Sequence, residues 1–312
     1  MKWKCVEMGN EVEMPGDGGY GRNSCCFFLK FKTNTSIVQK LAILLFCVSL
    51  FSCQPSRTTF YAFADLPYKE SEVEKLKAGV QAINRDESHD FSIHLGDIKA
   101  GKAPCERWQY EQTWEILKRL DKPTFIIPGD NEWNDCPDPD SAWPLWEEHF
   151  MEFDQNWPAP KFEVARQPAR RENFAFVHRR CLFVGLNLVG GRVHDEVAWK
   201  DRLNDDIHWL KKNFSTHQNK VKCAVVFGHA QPPAGAGHPN NRLFDALKAA
   251  ALEFRKPVLF MHGDGHVLEI ERFLADNLLR LELNGGKEND WLMKVVVEAG
   301  EEQPFRILLP VP

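Results

Sequence analysis

The chain has 312 residues, 43% of them hydrophobic and 12% aromatic, enough for one large core or two smaller ones. Its net charge is −5, with 39 Lys and Arg against 44 Asp and Glu, which excludes the basic footprint of a nucleic-acid binder. No internal repeat with a period of about 20–50 residues is visible, so a repeat array is excluded as well.

Residues 1–40 lack sustained periodicity and carry Gly-rich turns such as Pro15-Gly16-Asp17-Gly18-Gly19, so disorder is the expectation there. Lys40 then precedes an apolar stretch, residues 41–51, followed by Ser52-Cys53-Gln54. A basic residue, a short apolar core and a small residue before the cut are the parts of a secretory signal. The stretch is too short to span a bilayer comfortably. Leu50-Phe51-Ser52-Cys53 resembles a bacterial lipoprotein processing site. On that reading residues 1–53 are an extension and signal segment, and Cys53 becomes the lipidated first residue of the mature chain. The protein is then exported to the cell envelope and held on the periplasmic side by acyl chains, with residues 54–58 as a tether. An ordinary N-terminal membrane anchor and a buried apolar helix are the alternatives.

Residues 54–312 read as one domain, organised by apolar runs that each stop on a potential metal ligand. Tyr61-Ala62-Phe63-Ala64 stops on Asp65, and Phe91-Ser92-Ile93-His94-Leu95-Gly96 stops on Asp97. Phe125-Ile126-Ile127 ends at Pro128-Gly129 and runs into Asp130, Asn131 and Glu132. Cys223-Ala224-Val225-Val226-Phe227-Gly228 leads to His229, and Pro257-Val258-Leu259-Phe260-Met261 leads to His262-Gly263-Asp264-Gly265-His266. An apolar, β-branched or aromatic run ended by Gly or Pro reads as a buried strand entering a tight turn. The carboxyl edge of an open α/β sheet is where ligands usually bind. One strand-end Asp or His is an ordinary turn residue; the repetition of the pattern is what points to a metal. Carboxylate and imidazole donors suit Zn, Mn or Fe, and oxygen-rich sites lean to Mn or Mg.

Between these runs, Val73, Leu76, Val80 and Ile83 predict an amphipathic helix over residues 69–84, and a second helix is expected over residues 108–120. Strand–helix alternation of this kind implies a mostly parallel sheet. Residues 137–172 break the rhythm, with six prolines set among Trp143, Trp146 and Trp157. A lid or binding loop is one reading, with residues 141–153 partly helical; packing of the Trp residues onto the body is the other. Residues 174–177 and 181–188 flank His178-Arg179-Arg180 as a hairpin. Ile207, Leu210 and Phe214 mark a helix, residues 243–254 another, and residues 267–309 hold short strand-like runs that make a second sheet. Cys105 and Cys136 follow Asp97 and Asp130 at similar distances, on loops that adjacent parallel strands would bring together. Export makes a disulfide between them permissible. Cys181 and Cys223 lie in apolar strands and are expected to stay reduced and buried.

The order Asp65, Gly96-Asp97, Gly129-Asp130-Asn131-Glu132, His229, Gly263-Asp264-Gly265-His266 resembles the calcineurin-like metallophosphoesterases. Their pattern is D-x-H, G-D, G-N-H-[DE], H and G-H-x-H. In particular the chain resembles a bacterial branch with P-G-D-N-E-W and H-G-D-x-H, over roughly residues 58–300. The resemblance implies two mixed β-sheets packed as a sandwich with flanking helices, an αββα arrangement. It also implies a metal-dependent phosphoesterase acting on a phosphomonoester or phosphodiester, small-molecule or lipid-linked, through water activated by two divalent ions. By position, Asp65 binds metal one, Asp97 bridges both ions, and Asp130 takes the place of the family's Asn on metal two. His229 matches a second-metal ligand, Asp264 stands at the first His of G-H-x-H, and His266 matches the second. Two positions depart. Pro67 replaces the family's first His, leaving metal one short of a ligand. Asn131 replaces a His that aids catalysis, and Asn cannot donate a proton at neutral pH. Asn131 and His262 are the candidate catalytic residues, with Glu132 a nearby alternative. The oxygen-rich set leans toward Mn or Fe over Zn. No G-x-S-x-G and no Gly-rich phosphate loop with Lys is present, which disfavours acyl hydrolases and P-loop enzymes. The rivals are an envelope lipoprotein that binds metal or ligand without catalysis, and a structural envelope module whose strand ends are only turns.

Overall fold

The computed structural model describes residues 2–7, 10–12, 56–233 and 235–311. Strands β1 (Lys2–Glu7) and β2 (Asn10–Val12) form an antiparallel pair at one sheet edge. Next come β3 (Ser56–Phe63), α1 (Glu70–Asn84), β4 (Phe91–His94), α2 (Arg107–Leu117) and β5 (Thr124–Ile126), with the three strands parallel and adjacent. A π-helical turn, Asp130–Asn134, leads to α3 (Pro139–Phe150) and a 3-10 turn, Phe153–Asn156. The second half holds β6 (Val164–Gln167), β7 (Arg170–His178), β8 (Cys181–Gly185), α4 (Glu196–His217), β9 (Cys223–Phe227), α5 (Asn241–Phe254) and β10 (Val258–His262). It closes with β11 (Glu269–Arg272), β12 (Leu278–Glu282), β13 (Met293–Ala299) and β14 (Phe305–Val311). One seven-stranded sheet has the order β2-β1-β14-β13-β3-β4-β5, the other β11-β12-β10-β9-β8-β7-β6.

Alternation along each strand explains the layers. On β3, Phe60 and Ala62 point between the sheets, while Tyr61 and Phe63 point outward beneath the helices. Both faces are buried, so the strands read as continuous apolar runs. Between the sheets lies an aromatic stack: Phe60 on Phe91 at 4.8 Å, Phe125 on Phe174 at 4.7 Å, Phe176 on Phe183 at 4.9 Å. Each fully buried side chain of this size contributes about 1.5–3 kcal/mol of apolar burial. Helices α1 to α3 cover the outer face of the first sheet, and α4 and α5 that of the second. The architecture is the expected αββα sandwich.

Two local expectations are revised. Residues 2–7 and 10–12 form strands rather than disorder; β1 pairs with β14 from Lys2↔Val311 to Val6↔Ile307, giving partners to backbone groups that would otherwise sit on an open edge. Residues 137–172 are largely regular. Pro139 opens α3 at its first position, where no N–H is needed, and the Asp138 side chain accepts from Ser141 N at 3.2 Å. Trp146 is fully buried and stacks on Trp143 at 5.1 Å, so these rings pack onto the body. The signal segment and Cys53 lie outside the described residues. No helix among the described residues is long and apolar enough to cross a membrane.

Candidate metal centre

The ligand-bearing turns of β3, β4 and β5 on one sheet, and of β9 and β10 on the other, meet at one edge of the sandwich. Asp65, Asp97, Asp264 and His266 sit there with φ of 58°, 62°, 73° and 58°. Left-handed backbone at non-Gly residues costs of order 1–3 kcal/mol each and persists only where the surroundings enforce it. Here the enforcement is visible: Asp65 N donates to the Gly96 carbonyl at 3.0 Å, and Asp264 N donates to Asp65 Oδ1 at 3.1 Å. Gly129 is required by close approach. A Cβ there would stand 2.2 Å from both Asp97 N and Asp97 Oδ1.

Donor atoms of Asp65, Asp97 and His229 all lie within 4.8 Å of one another, and so do those of Asp130, His229 and Asp264. His229 is common to both groups. Its Nε2 is 3.2 Å from Asp97 Oδ1 and 3.1 Å from Asp130 Oδ1, while Nδ1 is 2.7 Å from the Leu95 carbonyl. A carbonyl only accepts, so Nδ1 carries a proton and a neutral ring turns its Nε2 lone pair toward the carboxylates. His266 Nε2 lies 3.3 Å from Asp65 Oδ1. The structure thus brings together all six residues that the sequence suggested as ligands.

Cations fit this set. Asp65 Oδ2, Asp130 Oδ1 and His229 Nε2 are buried without a hydrogen-bond partner among the described residues. Asp65, Asp97 and Asp130 are buried and Asp264 is half-buried, so four carboxylates crowd a space closed to most water. Without cations, burial pushes Asp97 up, and pushes Asp264 to about 6 with help from Asp130 and Asp97. Burial alone would pull the His229 imidazolium down, but Asp97 and Asp130 outweigh it and hold it well above its ordinary value. Metal ions in place of those protons would remove the repulsion.

The remaining candidates lie around this cluster. Asn131 grips the bridging candidate: its backbone N donates to Asp97 Oδ1 at 3.0 Å and its side-chain amide donates to Asp97 Oδ2. Glu132 is a brace, accepting from Gly129 N at 2.5 Å and Asp97 N at 3.3 Å through one buried oxygen. His262 is fully buried; its Nδ1 donates to the Gly263 carbonyl at 2.9 Å, and Nε2 is 3.9 Å from Glu282. Burial pushes it to about 3, so it stays neutral. Cys105 and Cys136 form a disulfide with Cα atoms 6.0 Å apart, and their sulfurs lie 3.9 and 3.7 Å from the Asn131 carbonyl. Cys181 and Cys223 are free and buried.

Two neighbours of the cluster were not singled out from the sequence. Lys99 is buried and donates to the Asn131 carbonyl at 2.6 Å. Tyr68 points its hydroxyl into the ligand cluster, donating to Asp97 Oδ2 at 2.8 Å. The available signal was its position three residues after Asp65, just past Pro67.

The sequence pattern of the calcineurin-like phosphoesterase family matches residues 58–284. No curated protein matches the sequence. Among solved structures, a dimetal phosphatase from Danio rerio aligns with a TM-score of 0.56 at 14% identity, covering 82% of this chain and 99% of that one. A purple acid phosphatase from yellow lupin (Lupinus luteus) seeds aligns at TM-score 0.48 and 12% identity, covering 79% and 50%. GAP50, the anchor in the inner membrane complex of Plasmodium, aligns at 0.47 and 14%, covering 82% and 89%. At such identities the first of these likenesses shows the shared fold. The family match is what carries chemistry: the chain belongs to the calcineurin-like phosphoesterases and is a metal-dependent phosphoester hydrolase.

Proposed function

We propose that this hydrolase cleaves a phosphomonoester or phosphodiester, small-molecule or lipid-linked, at the edge where the two sheets meet. In this reading Asp65, Asp97, Asp130, His229, Asp264 and His266 hold two divalent cations. The supporting observation is His229, whose proton is committed to the Leu95 carbonyl and whose buried Nε2 faces two carboxylates. Bound ions at such a centre activate water and neutralise phosphate charge. The oxygen-rich donor set leans toward Mn or Fe over Zn.

The chain's own residues then divide the work. Asp97 presents Oδ1 toward His229 and Oδ2 toward Tyr68, and these two oxygens would be the atoms that hold the ions. Asn131 and the backbone behind Glu132 hold it in that pose. The Asn131 amide can donate a hydrogen bond to a phosphate oxygen but no proton to a leaving group. Esters with good leaving groups are therefore the preferred substrates. Export and lipidation at Cys53 belong to the same proposal; processing there would remove β1 and β2 and leave β14 as the edge of its sheet. Their support is the Lys40-led apolar stretch before Cys53 and the Cys105–Cys136 disulfide, a bond that persists in oxidising compartments.

The test is metal depletion followed by refilling with Mn²⁺, Fe²⁺ or Zn²⁺ singly, with turnover measured on a panel of mono- and diesters. Activity that returns with metal supports the proposal. Full metal content with no turnover on any ester would instead favour the second reading, a binding lipoprotein without catalysis, which rests on Pro67 and Asn131.

A further inference from the structure

We infer that Tyr68 is itself a metal ligand, its phenol oxygen supplying the donor that Pro67 cannot. The inference rests on the metal-centre reading above and adds a residue to it. Tyr68 Oη lies 2.8 Å from Asp97 Oδ2, 3.2 Å from His266 Nε2, 3.4 Å from Asp65 Oδ1 and 3.3 Å from Asn131 Nδ2. A phenol has one proton and satisfies only one acceptor at a time. The Asp65, Asp97 and His266 donors nevertheless converge on this one oxygen. Donors bound at about 2.1 Å to a common cation stand about 3 Å from each other, which is the spacing seen.

The backbone holds the ring in place. Tyr68 N donates to Glu72 Oε2 at 2.7 Å, tying the turn after β3 to the first turn of α1, where Glu72 is buried. On the other side the ring leans on His266, with centroids 5.5 Å apart. Both anchors keep Oη at the edge of the cluster formed by Asp65 and Asp97. Coordination breaks the phenol O–H bond, forms one oxygen–metal bond and releases the proton to solvent. The alternative role is a hydrogen bond from neutral Tyr68 to Asp97, with the phenol intact beside a filled centre. Ionisation of the phenol separates the two.

The experiment titrates the full, metal-depleted chain with Zn²⁺ and separately with Fe³⁺, counting bound ions by elemental analysis. The expected result is the ultraviolet difference spectrum of tyrosine ionisation with Zn²⁺, and a phenolate-to-iron charge-transfer band in the visible with Fe³⁺. Tyr68→Phe should lose both signals and bind the ion more weakly, by at least the roughly tenfold that an outer partner of a ligand commonly costs. Tyr68→His should recover binding without either signal. The inference is overturned if the wild-type chain fills with metal and shows neither signal, or if Tyr68→Phe retains them. A chain that takes up no metal overturns the centre and the ligand role together, and the ion count tells the two failures apart.

Discussion

Removing the Cys105–Cys136 disulfide gives the most quantitative perturbation. The bond joins positions 31 residues apart in sequence. Chain-entropy bookkeeping for a loop of that length gives about 3.7 kcal/mol at 25 °C, as an upper value because unfolded chains keep some structure. In a domain of this size, one kcal/mol moves the melting temperature by about 2–4 °C, so the drop should be about 7–15 °C. Lys99 still donates to the Asn131 carbonyl beside the two sulfurs, so the loop should stay near its place in the folded state. The assay is thermal unfolding of Cys105→Ser/Cys136→Ser against the wild type, with and without reductant, in metal-depleted buffer. Reduced wild type and the double variant should melt together, below the oxidised protein. A variant that melts with the oxidised wild type would refute the reasoning. So would alkylation of both cysteines in unfolded, unreduced protein.

Asp97→Asn should lower turnover on an aryl phosphate by roughly a thousandfold or more, about 4 kcal/mol, and reduce bound metal in elemental analysis; normal metal content with normal turnover contradicts the bridging role. Asn131→His places a proton donor beside Asp97 and should raise rates on esters with poor leaving groups while leaving aryl phosphates little changed; a uniform effect across both substrate sets speaks against it. Away from the centre, burial pushes Asp206 up from 3.8 to about 7, although Asn173 donates to it at 2.6 Å. A raised carboxyl pKa means the folded chain binds more protons than the unfolded one, so this contribution is present below pH 4 and is lost as pH rises through 7. Asp206→Asn should therefore shift relative stability in its own favour by roughly 2–4 kcal/mol between pH 4 and pH 8, read from urea melts; parallel curves for the two proteins would show that Asp206 does not titrate this way.

The candidate ligand residues were legible because each follows a strand buried on both faces, and that burial writes an uninterrupted apolar run with a polar stop. The helix expected over residues 69–84 spans Glu70–Asn84, since Val73, Leu76, Val80 and Ile83 all face the sheet. Pairing of β1 with β14 joins the two extremes of the chain, and no local periodicity encodes so distant a partner. Trp143 and Trp146 look alike in sequence to rings that line a pocket; only the packing of α3 on the body shows Trp146 as core and Trp143 as packed against it. His262 was attractive because it precedes Gly263-Asp264, yet it is the last residue of β10 and faces inward. Tyr68 follows a proline in a turn and carries no pattern of its own. Its place beside the candidate ligands emerges only when left-handed backbone at Asp65 and Asp97 folds two separate turns onto its hydroxyl.

The candidate donors are divided between the halves of the sandwich: Asp65, Asp97 and Asp130 follow strands of one sheet, while His229, Asp264 and His266 follow strands of the other. The spacing of the donors is therefore the spacing of the sheets, and the interleaved Phe rings between them act as the gauge that sets it. A close-packed interior resists compression and sliding. Thinning that layer, for example with Phe91→Leu, would let the two halves shift and change which ion radius the edge accepts, without touching a single donor. On the proposed ligand set, ion preference would then be a mechanical property of the hydrophobic middle as much as a chemical property of the rim.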